Sequence, residues 1–295
     1  MPDWDTKLIE TPTTSLRMEV LEAGSGPLMV FLHGFPEMAS SWRHQLKYFS
    51  EKGRQAVAPN MRGYGNTDRP RRGYDVDTLS DDIAGVFDYY RADKAVLVGH
   101  DWGGVVAWHF AYRHPDRLKA LVILNAPHPV KLEQELRGNL RQLRRSYYMF
   151  LFQIPFLPEW FMGQNKARRV GGTIYLSAVR KEAFNSEDLS KYSMNMSTPG
   201  ALHAGIAYYR QAFRDAMKLR RYYRGRKITA PTLVIWAQQD AFLGPELAQG
   251  LEKYIDAPLE VVPIQKCGHW VQQEAPHEVN EAIEKFLAGF PDSAS

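Results

Sequence analysis

The residues of this sequence best suited to covalent chemistry are a carboxylate flanked by glycines, a later carboxylate and a later histidine. Gly99-His100-Asp101-Trp102-Gly103 stands where a short apolar run, Ala95 to Val98, gives way to helical spacing from Gly104. This is a nucleophile-elbow pattern with Asp at its centre. Such a sharp strand-to-helix turn needs small neighbours, because it holds the nucleophile in a strained backbone conformation. The helix N-terminus that follows favours an anion. Taken alone, the pentapeptide reads equally as a helix capped by Asp. Upstream, His33-Gly34-Phe35-Pro36-Glu37 follows the apolar run Leu28 to Leu32. That loop is either a plain Gly-Pro turn or a device that aims the Phe35 N–H at the spot faced by the Trp102 N–H, forming an oxyanion hole. Downstream, Thr232 to Trp236 leads into Asp240, and Leu259 to Ile264 leads into Cys267-Gly268-His269-Trp270. Open parallel sheets gather residues of this kind along one edge.

The elements that must position them alternate. Leu16–Ala23, Pro27–His33, Gln55–Pro59, Ala95–Val98 and Leu121–Leu124 read as strands, with helical spacing over Leu79–Arg91 and Gly104–Tyr112. Pro231–Ala237, Leu259–Ile264 and a helix over Pro276–Leu287 resume the pattern after a gap. Strand-helix alternation predicts a mostly parallel sheet with helical crossovers. The gap is rich in Arg, Tyr, Phe and Met and has helical periodicity, so it is expected to be a helical lid. The chain is expected to divide into a core over 1–129, a cap over 130–225 and a second core part over 226–295. The polar tail 291–295 is expected to fray.

At 295 residues the chain has room for one large core with an insert, or for two domains. Hydrophobic residues make up 44% and charged residues 24%, which excludes a disordered or fibrous chain. One cysteine, Cys267, excludes an internal disulfide and a cysteine-rich zinc site. With no polarising partner visible in sequence, it reads as an inert thiol. His33, His100 and His128, at strand ends, read as structural. Met1 to Glu10 lacks the apolar run of a secretory signal, so the protein is expected to be cytoplasmic. No membrane-spanning segment is expected: the nearest window, Tyr147 to Met162, is broken by Gln153, Pro155, Pro158 and Glu159. It reads as the lining of something. Residues 130–225 carry 17 basic against 7 acidic residues, a local excess of +10 that leaves −6 elsewhere. Scattered along helices, such cations read as a solvated face rather than a nucleic-acid or membrane patch.

Nearly the whole chain, from about Leu16 to Phe290, resembles the α/β-hydrolase epoxide hydrolases. The matching words are His-Gly-Phe-Pro-Glu at 33–37, Arg-Gly-Tyr-Gly at 62–65, Gly-His-Asp-Trp-Gly-Gly at 99–104 and Gly-His-Trp at 268–270. The order Asp101, Asp240, His269 is also that of the α/β-hydrolase triad. The resemblance implies Asp101 as nucleophile, His269 as base, Asp240 as its orienting acid and the Phe35 and Trp102 amides as oxyanion hole. It further implies two lid tyrosines gripping the epoxide oxygen: Tyr209, before Arg210, and Tyr148, with Tyr147 its rival. Phe35, Trp102, Phe152 and Trp270 are expected to contact substrate, and Phe150, Phe156, Leu157 and Trp160 either to join them or to be lid core. Ala237, where Gly is common, and Asn60, where Asp is common, depart from the family pattern.

The implied reaction hydrolyses lipophilic epoxides to vicinal diols through an alkyl ester on Asp101, with water as co-substrate and no cofactor or metal. No nucleic-acid partner is expected, and the chain is expected to be a monomer or homodimer. Haloalkane dehalogenases are the nearest alternative. They need halide donors, where this chain has Phe35, and fluoroacetate dehalogenases want an Arg beside the nucleophile, where Trp102 stands. A serine esterase would need Gly-x-Ser-x-Gly, which is absent. A catalytically silent ligand-binding protein is the alternative from another class.

Overall fold

The computed structural model describes residues 4–290, so the tail 291–295 lies outside the described residues. Eight strands form one sheet: β1 (Asp5–Glu10), β2 (Arg17–Ala23), β3 (Leu28–Leu32), β4 (Gln55–Pro59), β5 (Ala95–His100), β6 (Leu118–Leu124), β7 (Thr232–Ala237) and β8 (Leu259–Ile264). Their spatial order is β1-β2-β4-β3-β5-β6-β7-β8. β1 and β2 run antiparallel to their neighbours, whereas every pairing from β4 to β8 is parallel.

The apolar runs are continuous because the central strands bury both faces, yet they still alternate. Val30 and Leu32 of β3, Leu97 of β5 and Val234 of β7 enter the core on one side of the sheet. Met29, Phe31, Val96, Val98, Leu233 and Ile235 enter the core on the other. Period-two geometry thus feeds two cores from one strand sequence. Helices α1 (Arg43–Glu51), α2 (Val76–Tyr89) and α3 (Trp102–Arg113) cover the sheet. Asp75 caps α2, its side chain accepting from the Thr78 N–H at 2.9 Å.

Between β6 and β7 lies the helical cap: α4 (Pro129–Gly138), α5 (Leu140–Arg145), α6 (Tyr147–Leu151), α7 (Leu157–Ser177), α8 (Ser186–Ser197) and α9 (Ala201–Tyr223). α7 is broken at Gln164–Ala167, where Asn165, Lys166 and Ala167 have φ of 52 to 54°. After β8 come α10 (Val271–Glu274) and α11 (Pro276–Ala288). Among the described residues, no helix is long and apolar enough to cross a membrane.

The sheet order reverses at β3, whose neighbours β4 and β5 lie on opposite sides. Such switch points leave a crevice beyond the strand ends where ligands bind. The loop after β3 and the turn after β5 both open there. Asn60 holds this side of the core together: its Oδ1 accepts from the Ala39 N–H at 2.7 Å and its Nδ2 donates to Glu19 Oε2 at 2.5 Å. A carboxylate at 60 would lack that donor and repel Glu19, which gives the departure at this position a local reason.

Candidate active site

Asp101 sits between β5 and α3 with φ 50° and ψ −119°. A non-glycine residue held there stores about 1–3 kcal/mol of strain. Its neighbours must be small. A Cβ on Gly99 would fall 2.4 Å from the Gly103 carbonyl oxygen, and one on Gly103 would fall 2.2 Å from that of Leu32. The elbow therefore presses against β3, and the β3 loop delivers the Phe35 N–H to Asp101 Oδ1 at 2.8 Å. Trp102 opens α3, so its N–H is among the first-turn amides that have no partner within the helix.

The other carboxyl oxygen faces His269. Asp101 Oδ2 lies 3.6 Å from His269 Nε2, an ion-pair distance rather than a hydrogen bond. On the far side of the ring, His269 Nδ1 donates to Asp240 Oδ2 at 2.7 Å. Asp240 is buried but richly served. Asn125 Nδ2 donates to Oδ2 at 2.7 Å, and the Phe242 and Leu243 amides donate to Oδ1 at 2.7 and 3.0 Å. Burial alone would raise the Asp240 pKa. The His269 charge and these donors overcome it and hold the carboxyl below its usual range. For His269 the balance runs the same way. Burial pushes its pKa down, but the Asp240 and Asp101 carboxylates outweigh burial and lift it to about 10.

Two cavities meet at Asp101. One, of about 300 Å³, runs between α4 and α9 past Trp102, Val130, Leu136 and Leu219. The other, of about 400 Å³, runs under α6 and the first half of α7 past Phe35, Phe152, Phe161 and Trp270. Asp101, Tyr148 and Tyr209 are the three residues that line both. The two tyrosine rings stand 6.0 Å apart at 80°, and Tyr209 packs edge-on against Trp102 at 4.9 Å. Burial first, and the Asp101 charge second, push both phenols well above their ordinary pKa. They are therefore neutral O–H groups at any working pH. Tyr147 also reaches the second cavity, but its side chain is 63% exposed.

Phe35, Trp102, Phe152 and Trp270 all line the cavities, and so does Leu157. Phe150, Phe156 and Trp160 are neither lining of this second cavity nor lid core: they stand 45, 83 and 64% exposed on the outside of the cap. Cys267 is buried, and burial raises its thiol pKa, as suits an inert side chain.

Further residues support this set, and of them the sequence singled out His100 alone, as structural. Asn125, at φ 40°, ties Asp240 to the sheet, since its Oδ1 accepts from the Ala237 N–H at 2.9 Å. His100 bridges the Glu37 carboxyl at 2.8 Å and the His269 carbonyl at 2.9 Å. Glu274 gathers the amides of Gly268, Trp270, Val179 and Arg180 at 2.8 to 3.2 Å, fastening the His269 loop to the cap. Asn125 and His100 stand at strand ends, whereas Glu274 closes α10 and carries no such signal.

A mostly parallel sheet with an elbow-borne Asp, an Asp-supported His and a helical insert defines an α/β hydrolase. The family model for the alpha/beta hydrolase fold matches residues 27–276. Human "Epoxide hydrolase 4" is 36% identical, over 93% of this chain and 76% of its own length. The Bacillus subtilis "AB hydrolase superfamily protein YfhM" is 35% identical, over 93% and 96%. The solved structure of a Bacillus megaterium epoxide hydrolase with an inhibitor superposes with a TM-score of 0.87 at 31% identity, covering 96% of this chain and all of that one. The chain belongs to the α/β-hydrolase-fold epoxide hydrolases.

Proposed function

We propose that this protein hydrolyses lipophilic epoxides to vicinal diols through an alkyl ester on Asp101. Residues 1–129 and 226–295 act as the hydrolase core and 130–225 as the cap. One observation carries the reading: the carboxylate has one oxygen held by an amide and one that only faces His269 at 3.6 Å, and two neutral phenols share both of its cavities. Asp101 Oδ2 attacks an epoxide carbon, breaking its bond to the ring oxygen. Tyr148 and Tyr209 hydrogen-bond the developing alkoxide and supply its proton. The ester then needs water at the Asp101 carbonyl carbon, because an alkyl ester is released by hydrolysis of the enzyme's own carboxyl.

Ester formation itself arms the base. Asp101 loses its charge on alkylation, so His269 loses one of the two carboxylates that keep it protonated and can release its Nε2 proton, which replaces the one the phenols gave to the alkoxide. Neutral His269, oriented through Nδ1 by Asp240, takes a proton from the attacking water. The tetrahedral oxyanion forms on Oδ1, where the Phe35 N–H already points and the Trp102 N–H begins α3. An amide donor of this kind is worth about 2.7–4 kcal/mol, and a positioned base about 10² to 10⁴-fold.

Single turnover in ¹⁸O water with enzyme in excess tests the path. The diol should carry unlabelled oxygen and the peptide containing Asp101 should gain ¹⁸O. A labelled diol on the first turnover would reduce Asp101 to a general base and overturn the covalent scheme.

A further inference from the structure

The outside of the cap carries large apolar side chains that nothing covers. Tyr147, Phe150, Phe156, Trp160, Phe161 and Phe213 are 45 to 83% exposed. The first five fall within fifteen residues of α6, the following turn and α7, and the Phe150 and Phe213 rings, 6.3 Å apart, join α9 to them. Phe156 is held at φ 61° with its ring in solvent, so packing does not repay the strain. Scattered apolar residues need no explanation, but a contiguous patch of this kind marks an interaction surface.

The rim says what fits it. Arg141 and Arg144 on α5, Lys166 and Arg168 on α7, and Arg214 beside Phe213 are exposed and make no ion pair with the described residues. Arg169 lays its guanidinium 3.8 Å from the Phe161 ring centroid. These six cations lie on the helices that carry the aromatic face or on the one directly before it, and they form part of the cap's basic excess. A second copy of the chain docking symmetrically would set this patch against itself and cations against cations. An anionic bilayer satisfies both features: Trp and Phe settle at the headgroup boundary and Arg and Lys meet lipid charge.

We propose that this face of the cap docks on anionic membrane surfaces. The second cavity gives the docking a consequence. Tyr147, Leu151, Leu157 and Phe161 line that cavity and are themselves exposed within the patch, so its mouth opens where the bilayer would lie. A lipophilic molecule then reaches Asp101 without crossing water. Only this consequence rests on the proposed activity; the docking does not.

Vesicle co-sedimentation tests it, with phosphatidylcholine alone or mixed with phosphatidylserine. The protein should bind the mixed vesicles and release as salt rises, and Trp160 fluorescence should be quenched by brominated acyl chains. Phe156→Ser with Trp160→Ser should weaken binding about tenfold or more, as should Arg141→Glu with Arg144→Glu, at about 1 kcal/mol per lost cation before the added repulsion. Both double variants should turn over a water-soluble epoxide at the wild-type rate. Tyr148→Phe should keep binding while its turnover slows about tenfold or more, which separates failure of the docking from failure of the activity. Equal binding by wild type and the double variants, absence of vesicle binding, or a dimer that the Phe156 and Trp160 substitutions dissolve would each overturn the proposal.

Discussion

Replacing Asp101 by Asn should lower the His269 pKa from about 10 to about 7. The magnitude follows from one distance. His269 Nε2 lies 3.6 Å from Asp101 Oδ2. At an effective dielectric constant of about 20, unit charges about 4 Å apart interact by about 4 kcal/mol, or about three pKa units. Asn removes that charge and keeps the shape, while Asp240 still holds Nδ1. The imidazole Cε1–H resonance of ¹³C-labelled protein reports the midpoint, with His269→Gln identifying the signal among nine histidines. A midpoint that stays above about 9 in Asp101→Asn would refute the argument that ester formation frees the base. Linkage gives a second reading. The His269 pKa is raised above its unfolded value, so its contribution to wild-type stability is complete below about pH 6.5 and is lost as pH rises through about 10. In Asp101→Asn the folded and unfolded values nearly coincide, so this contribution should shrink to well under ~1 kcal/mol and its loss should be complete by about pH 7.

Two further outcomes are expected. Tyr148→Phe and Tyr209→Phe should each slow ring opening about tenfold to a hundredfold, and the double change should nearly abolish it, because the two phenols share a general-acid task worth about 10² to 10⁴-fold; rapid-quench measurement of the ester checks this, and loss of ring opening in Tyr147→Phe with retention in Tyr148→Phe would reverse the assignment. His33 is buried and neutral, its Nε2 accepting the Met61 N–H at 3.0 Å and its pKa lowered to about 4 chiefly by burial. The unfolded chain protonates it first, so its part in stability is intact above about pH 6.5 and falls by about 3 kcal/mol as pH drops to 4. His33→Gln should flatten that part of the acid-unfolding profile, and an unchanged slope in urea titrations would contradict the reading.

The core was legible because its constraints are local. Ala95 to Val98 is apolar because both faces of β5 are covered, and the glycines at 99 and 103 are forced by backbone contacts within a few residues of Asp101 or one strand away. Asp240 stands out because it lies three residues past the fully buried β7, and His269 because Gly-His-Trp comes in the loop after β8. β1 left little signal: it is an edge strand with Ile9 as its one buried residue. Asn125 and Glu274 were hidden because each ties in a group far away in sequence, Ala237 and Asp240 for Asn125 and Val179 and Arg180 for Glu274, and an Asn after a strand or a Glu ending a short helix has many ordinary uses.

The cap was harder for a different physical reason. Helical periodicity shows that a segment has an apolar face, but not what covers it, since the same Phe is worth burying in a core, a cavity wall or a bilayer. Tyr147 and Tyr148 are adjacent and identical in type, and only the orientation of α6 leaves one 63% exposed and turns the other between the two cavities. That orientation depends on distant anchors. Gln153 donates to the Tyr209 carbonyl at 3.4 Å, and Arg210 of α9 donates to the carbonyls of Phe152 and Ile154, both at 2.9 Å. The lid tyrosine pair is therefore a property of how α6 and α9 pack. Arg210 deserves to be read beside Tyr209 because it fixes the turn that presents Tyr148's helix.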